Sequence, residues 1–499
     1  MRLANNLLAG LANSVVSALV GLAVVPLYIK YLGIEAYGLI GFYATTQAIL
    51  QILDMGLAPT MNREVARHSA SGDLKQAGKL LHTLAIVYWS MAGMIALFIV
   101  ALAPLIAGYW LQSKQLAPQT ISHAVMLMGL VVACRWPIGL YQGALMGAQR
   151  LTVASGVSIT MVTLGSLGAV AVLAFVSPTI EAFFVWQASV GLAYAITMRW
   201  AAWRVIGRLP DIRFDVVALK KIVRFSAGMG SISLSGLVFT QLDKIILSKI
   251  LGLEEFAHYM LATLIMSGLY VFITPTFNVV YPRFSALVVA NDIKRLTALY
   301  RIGTRLFATV LFPISMLLVV FAEDFVLLWT GNPGISKSIS PVITFLVIGS
   351  ALNGVMYFPY ALQLAYGMTW IPITINLSLM CLIVPLIIFL AHDYGAMGGA
   401  MAWLISEIIY IIVGPWMTHH YLLKGLAPKW ILQDIAPSLV ASILVGLFGH
   451  YVIYNYEYHI YLKFFLLSAL SILTSTLTVL MSRESFAVVR NNINWRIYV

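Results

Sequence analysis

Five ionisable side chains stand inside long apolar runs of this chain: Asp54, Arg135, Asp243, Lys244 and Glu407. An ionised group near the centre of a bilayer costs roughly 2.5–3.5 kcal/mol or more, so such residues mark binding, ion movement or a structural pairing. Arg135 lies near the middle of its run, where its planar guanidinium can grip a phosphate through two parallel hydrogen bonds or close an interhelical ion pair. Glu407 lies near the middle of another, and a carboxyl at that depth must hold a proton or a cation. Asp54 opens a turn at Met55-Gly56 and, with Arg63 beyond it, suits a gating or a structural role. Asp243 and Lys244 are neighbours about 100° apart on a helix, so they are not expected to face one point. Lys244 would snorkel outward or contact a ligand, and Asp243 would join Glu407 in ion coupling.

The elements that carry these residues follow from composition. The chain has 499 residues, 61% hydrophobic and 10% charged, with mean hydropathy +0.92. Soluble domains carry about 25% charged residues, so a water-soluble multidomain enzyme is excluded. Apolar runs of roughly 20 residues suit membrane-spanning helices. About fourteen such runs follow one another from residue 7 to residue 482, among them 36–61, 120–147, 225–250, 256–281, 396–418, 435–455 and 461–482. Alternating segments of a β-barrel are not seen, and the expected fold is an all-α polytopic membrane protein. The first apolar run is longer than the core of a cleavable signal and is taken as the first span.

Charge placement orients the spans. One set of loops holds 23 of the 30 Lys and Arg residues, including Arg63, Arg67, Arg204 to Arg224, Arg283 to Arg305 and the C-terminal Arg483, Arg490 and Arg496. The opposite set holds five: Lys30, Lys114, Lys249, Lys337 and Lys463. Both termini are therefore expected in the cytoplasm, and the net charge of +12 is a topology signal beside anionic membrane lipid, with no nucleic acid implied. The longest outer connection, about Leu328 to Ser338, is too short for a catalytic domain, and no phosphate-cradling nucleotide loop occurs. No metal-binding spacing is present and no cofactor is expected; Cys134 and Cys381 read as core residues, and His419-His420 as an interfacial pair. The tryptophans, Trp430 among them, read mostly as an interfacial belt.

Lys30-Tyr-Leu-Gly-Ile-Glu35 recurs as Lys249-Ile-Leu-Gly-Leu-Glu254, an offset of 219 at which Asp73 also matches Asp292 and Trp110 matches Trp329. A repeat of six spans gives two parallel halves, expected at 1–205 and 220–420, with two further helices and a tail at 430–499. Halves of this kind around a midplane cavity are common in secondary transporters that work by alternating access.

Within this frame, Pro26-Leu-Tyr-Ile-Lys-Tyr-Leu-Gly-Ile-Glu-Ala-Tyr-Gly38 resembles the opening of polysaccharide flippases of the multidrug/oligosaccharidyl-lipid/polysaccharide (MOP) exporter superfamily. Asp54-Met-Gly-Leu57, Asp243 to Gly252, Phe321 to Gly331 and Gly395 to Ala400 are similar to later stretches of the same family, in the same order. The resemblance implies a Wzx-type flippase that moves polyprenyl-pyrophosphate-linked glycan, such as an O-antigen unit, from the inner to the outer leaflet of a bacterial inner membrane. It further implies a cationic cavity for the headgroup, served here by Arg135 and Lys244, and coupling to protons or sodium. Polysaccharide assembly machinery would be the protein partner. The first span lacks the charged residues of lipid II flippases, which favours the polysaccharide branch. A multidrug exporter and an O-antigen polymerase or ligase are the alternatives; the first would want an acidic apolar cavity, the second a large outer loop.

Overall fold

The computed structural model describes residues 2–54, 56–70, 74–207, 214–216, 219–220, 236 and 238–454, with scattered positions between 462 and 476. Asp73, the basic-loop residues Arg208, Arg213, Lys221 and Arg224, the start of the seventh run, Lys463, most of the fourteenth run and the C-terminal arginines lie outside the described residues. Every described regular element is helical, apart from one isolated bridge between Gln112 and Gly252. This follows from the apolar composition, because in lipid a helix alone satisfies its own backbone groups within one segment.

The chain divides into two compact units, Met1–Ala257 and His258–Val499. The first contains α1 (Arg2–Leu32), α2 (Ile34–Leu50), α3 (Leu57–Ala70), α4 (Leu74–Leu105), α5 (Pro118–Arg135), α6 (Ile138–Gly147), α7 (Leu151–Phe175), α8 (Ile180–Ile206) and α9 (238–250). Within it α1 packs on α7, while α5 packs on α4 and α8. Met61, Val65, Leu81, Leu84, Tyr141 and Met198 form a fully buried core where α3, α4, α6 and α8 meet.

Helix α10 (Leu253–Ser267) leads to α11 (Tyr270–Val289), α12 (Ile293–Val320), α13 (Ala322–Thr330), α14 (Pro333–Ala365), α15 (Trp370–Tyr421), the short α16 (Ala427–Lys429) and α17 (Ala436–Tyr454). In the second unit α14 packs against α11, α12 and α15, and α12 packs against α17.

Among the described residues nine helices are long and apolar enough to cross a membrane, or up to ten if the bent pair α10–α11 is one span. The expected runs explain the shortfall. Residues 370–394 and 396–421 are counted as one helix, although Gly395 (φ 57°, ψ −134°) breaks it. The second run is split, and the seventh and fourteenth are only partly described.

The splits have chemical causes. The second run does not form one helix: α2 passes through a 3-10 turn (Gln51–Asp54) to Gly56, whose φ of 77° is left-handed, before α3 starts. The fourth run ends its first helix at Arg135, because Pro137 has no N–H to continue the ladder, and α6 restarts at Ile138. The outer connection expected at Leu328 to Ser338 shrinks to Gly331 and Asn332, since Asn332 accepts hydrogen bonds from Gly334 and Ile335 and caps α14 directly.

Candidate functional site

The break at Trp136-Pro137 places Arg135 in the last turn of α5, where a cation also complements the carbonyl end of the helix. Its Nη2 donates to Oε1 of Gln187 on α8 at 2.6 Å. Gly191, one turn further along α8, makes room for the side chain: a β-carbon there would stand 3.1 Å from Cγ of Arg135. The hydroxyls of Tyr28, Tyr43 and Tyr194 lie within electrostatic reach of the guanidinium. Among the described residues, Nε of Arg135 and the indole N–H of Trp136 are buried without a hydrogen-bond partner, and the buried Tyr43 hydroxyl lies beside the guanidinium. No described carboxylate pairs with Arg135. The result is a cation with a neutral partner and spare donors beside it, the chemistry that receives anionic oxygens.

Glu407 on α15 is fully buried. Both of its oxygens accept from the Nδ2 of Asn353 on α14, at 3.1 Å each, and no described cation pairs with it. A carboxyl held by one amide, away from any counter-ion, can exchange a proton or a small cation.

The other expected residues have local partners. Tyr88 of α4 donates to one oxygen of Asp54, and the other accepts from the backbone N–H of Ala58 at 3.3 Å. Asp54 thus caps the first turn of α3 and ties it to α4. Asp243 is buried, and Lys244 curls back to it at 3.2 Å while also donating to the Thr240 carbonyl at 2.9 Å. This corrects the expectation that the pair faces different ways: the Cα positions diverge, but the flexible four-carbon arm returns. Arg63 is exposed on α3, near Glu64, which pairs with Arg67 at 3.8 Å.

Other expectations also need correction. Cys381 is exposed and Cys134 only half-buried, since each lies on a helix face that the fold leaves open. His419 is buried, with Nε2 2.9 Å from the Tyr300 hydroxyl, and Trp430 is fully buried, donating to Thr304 at 3.0 Å. Neither side chain is on the protein surface, where an interfacial residue would sit, because both bond to residues of α12. Beside them the buried Asp434 receives the partly buried Arg301 at 2.8 Å and Arg305 at 2.6 Å. Gln187 and Asn353 are visible in the sequence as amides inside apolar runs, but their partners lie 52 and 54 residues away. The role of Glu35 was hidden too: it accepts from the Ser113 hydroxyl at 2.5 Å and from the N–H groups of Lys114, Gln115 and Leu116.

A family model described as polysaccharide biosynthesis protein matches residues 3–288, more than half of the chain. The chain belongs to the polysaccharide biosynthesis protein family. This family member is 21% identical to a candidate O-antigen transporter of Shigella flexneri over 393 residues, covering 77% of this chain and 90% of the relative. Its fold is similar to that of the lipid II flippase MurJ in an inward closed conformation, with a TM-score of 0.70, 13% identity and 95% and 98% of the two chains covered. It is also similar to an inward-facing multidrug resistance MATE transporter of the MOP superfamily, with a TM-score of 0.65, 14% identity and coverage of 81% and 95%. The all-α multi-pass architecture is therefore the one shared by these MOP-superfamily transporters.

Proposed function

We propose that this polysaccharide biosynthesis protein is a flippase that carries a polyprenyl-pyrophosphate-linked oligosaccharide, such as an O-antigen unit, to the outer leaflet of a bacterial inner membrane. The observation that carries this is Arg135: a guanidinium inside a span, held by Gln187 and offset by no described carboxylate. A pyrophosphate leaving water needs fixed donors in place of its hydration, and an uncancelled guanidinium with neighbouring hydroxyls supplies them. The candidate O-antigen transporter relative supports the substrate class. Glu407 provides the ion-coupling group, loading a proton or sodium in one state of an alternating-access cycle and releasing it in the other. Asp243 and Lys244, being mutually paired, serve the cycle as a unit, and both termini face the cytoplasm.

Arg135→Ala should abolish surface glycan assembly while membrane-inserted protein stays near the wild-type level, and Arg135→Lys should restore export only partly, because Lys cannot donate in parallel. Glycan export and inserted protein are measured together. Normal export by well-inserted Arg135→Ala protein would remove the headgroup role.

A further inference from the structure

The second unit carries two kinds of aromatic cluster. Phe284, Tyr300 and Phe358 are at most 2% exposed and are ordinary core. The other cluster, on α11 and α14, stays half-open: Phe277, Tyr281, Tyr357 and Tyr360 are each only partly buried. Phe277 lies nearly parallel to Tyr281, at 5.7 Å and an interplanar angle of 2°, and to Tyr360, at 5.6 Å and 19°; at these centroid separations the rings are offset, so their faces overlap only in part. Tyr357 meets Phe277 edge-on at 5.7 Å.

Helical spacing sets these rings among polar groups. Thr274, Phe277, Asn278 and Tyr281 fall on one face of α11 within about 100° of arc, and Thr274 and Asn278 are exposed. An exposed amide inside a span is costly against lipid, so this face is built for water or a polar ligand. On α14, Asn353, Tyr357 and Tyr360 share a face, and Asn353 is the residue that holds Glu407. Among the described residues the hydroxyls of Tyr281, Tyr357 and Tyr360 donate to no protein acceptor.

We propose that this shared face of α11 and α14 is a carbohydrate platform: a sugar ring of the transported glycan stacks its C–H face on Phe277 and Tyr360, and its hydroxyls bond to Asn278 and the tyrosine hydroxyls. Sugars combine an apolar ring face with a polar rim, and flat rings edged by amide and hydroxyl groups match both. The inference rests on the flippase function and adds the surface that reads the glycan, separate from the Arg135 headgroup site. It also couples the cargo to the ion site, since Tyr357 follows Asn353 by one helical turn.

The test uses full-length protein in phosphatidylethanolamine–phosphatidylglycerol nanodiscs and two calorimetric probes. One is lipid-free oligosaccharide released by mild acid from the polyprenyl-linked pool of the native host; the other is undecaprenyl pyrophosphate. Phe277→Ala and Tyr360→Ala should each weaken oligosaccharide binding about tenfold and leave undecaprenyl pyrophosphate binding unchanged. Phe277→Trp, which keeps a flat ring, should retain both. Unchanged oligosaccharide binding in the folded alanine variants overturns the platform. So does wild-type protein that binds undecaprenyl pyrophosphate but no oligosaccharide, and the flippase function then still stands. Wild-type protein that binds neither probe defeats both.

Discussion

Arg135 and Glu407 meet the same difficulty, a charge in an apolar surround, with the same kind of partner, a primary amide. Gln187 accepts from the guanidinium and Asn353 donates to the carboxyl, so each charge is oriented without being cancelled. A salt bridge would have fixed the geometry but consumed the charge. Asp434 illustrates that alternative, closed by Arg301 and Arg305 and left with a structural task. Glu407→Gln should therefore leave folded, inserted protein whose glycan export is lost or no longer responds to an imposed ion gradient; export with unchanged pH dependence would take Glu407 out of coupling. Glu35 shows a third use of a carboxylate. Burial raises its pKa, but the Ser113 hydroxyl and the N–H groups of Lys114, Gln115 and Leu116 outweigh this and hold it below the usual carboxylate range. Its grip is thus complete above the ordinary carboxylate pKa and is lost as pH falls through the lowered value. Hydrogen exchange at the amides of residues 114–116 should accelerate in acid for the native protein, and at all pH values in Glu35→Gln.

At the level of elements, the breaks in the helices decide where chemistry is placed. The turn before α3 depends on Asp54, which accepts from Ala58 N–H and from Tyr88. Asp54→Ala should lower stability by about 1–2 kcal/mol, as loss of a cap does, whereas Asp54→Asn keeps an acceptor and should recover most of it. Thermal unfolding in detergent reads the difference; if Asp54→Asn folds normally yet exports no glycan, the carboxylate acts in gating as well. Span existence was legible in the sequence, because length and apolarity suffice to call a helix in lipid. The breaks were less so: the apolar run expected at 120–147 continues past Trp136-Pro137, and that at 256–281 continues past Gly268, where α10 and α11 bend by 46°. Burial of His419 and Trp430 was not legible at all, since it depends on α12 and the chain after α15 meeting in space.

Across the whole molecule, the sequence repeat has local structural counterparts. The Gly33 carbonyl accepts from Tyr37 N–H at 3.2 Å and the Gly252 carbonyl from Phe256 N–H at 2.9 Å, the same positions at an offset of 219. Both motifs join two helices through that glycine. The copies have nonetheless diverged: Glu35, in the first turn of α2, is buried against residues 113–116, while Glu254 is exposed. We expect residues 30–110 to superpose on 249–329 as parallel repeats in an experimentally determined structure; helices that run in opposite order there would end the duplication and the two-half transport cycle built on it.

The turn at Gly395 bears on how the protein is made. A β-carbon at Gly398 would stand 2.0 Å from the Leu390 carbonyl oxygen, so the helices on either side of the turn are joined with no slack. We expect the two to enter the bilayer together as one hairpin, so that Glu407 follows an Asn353 synthesised before it. A buried carboxyl would thus not have to enter the hydrocarbon without its amide partner.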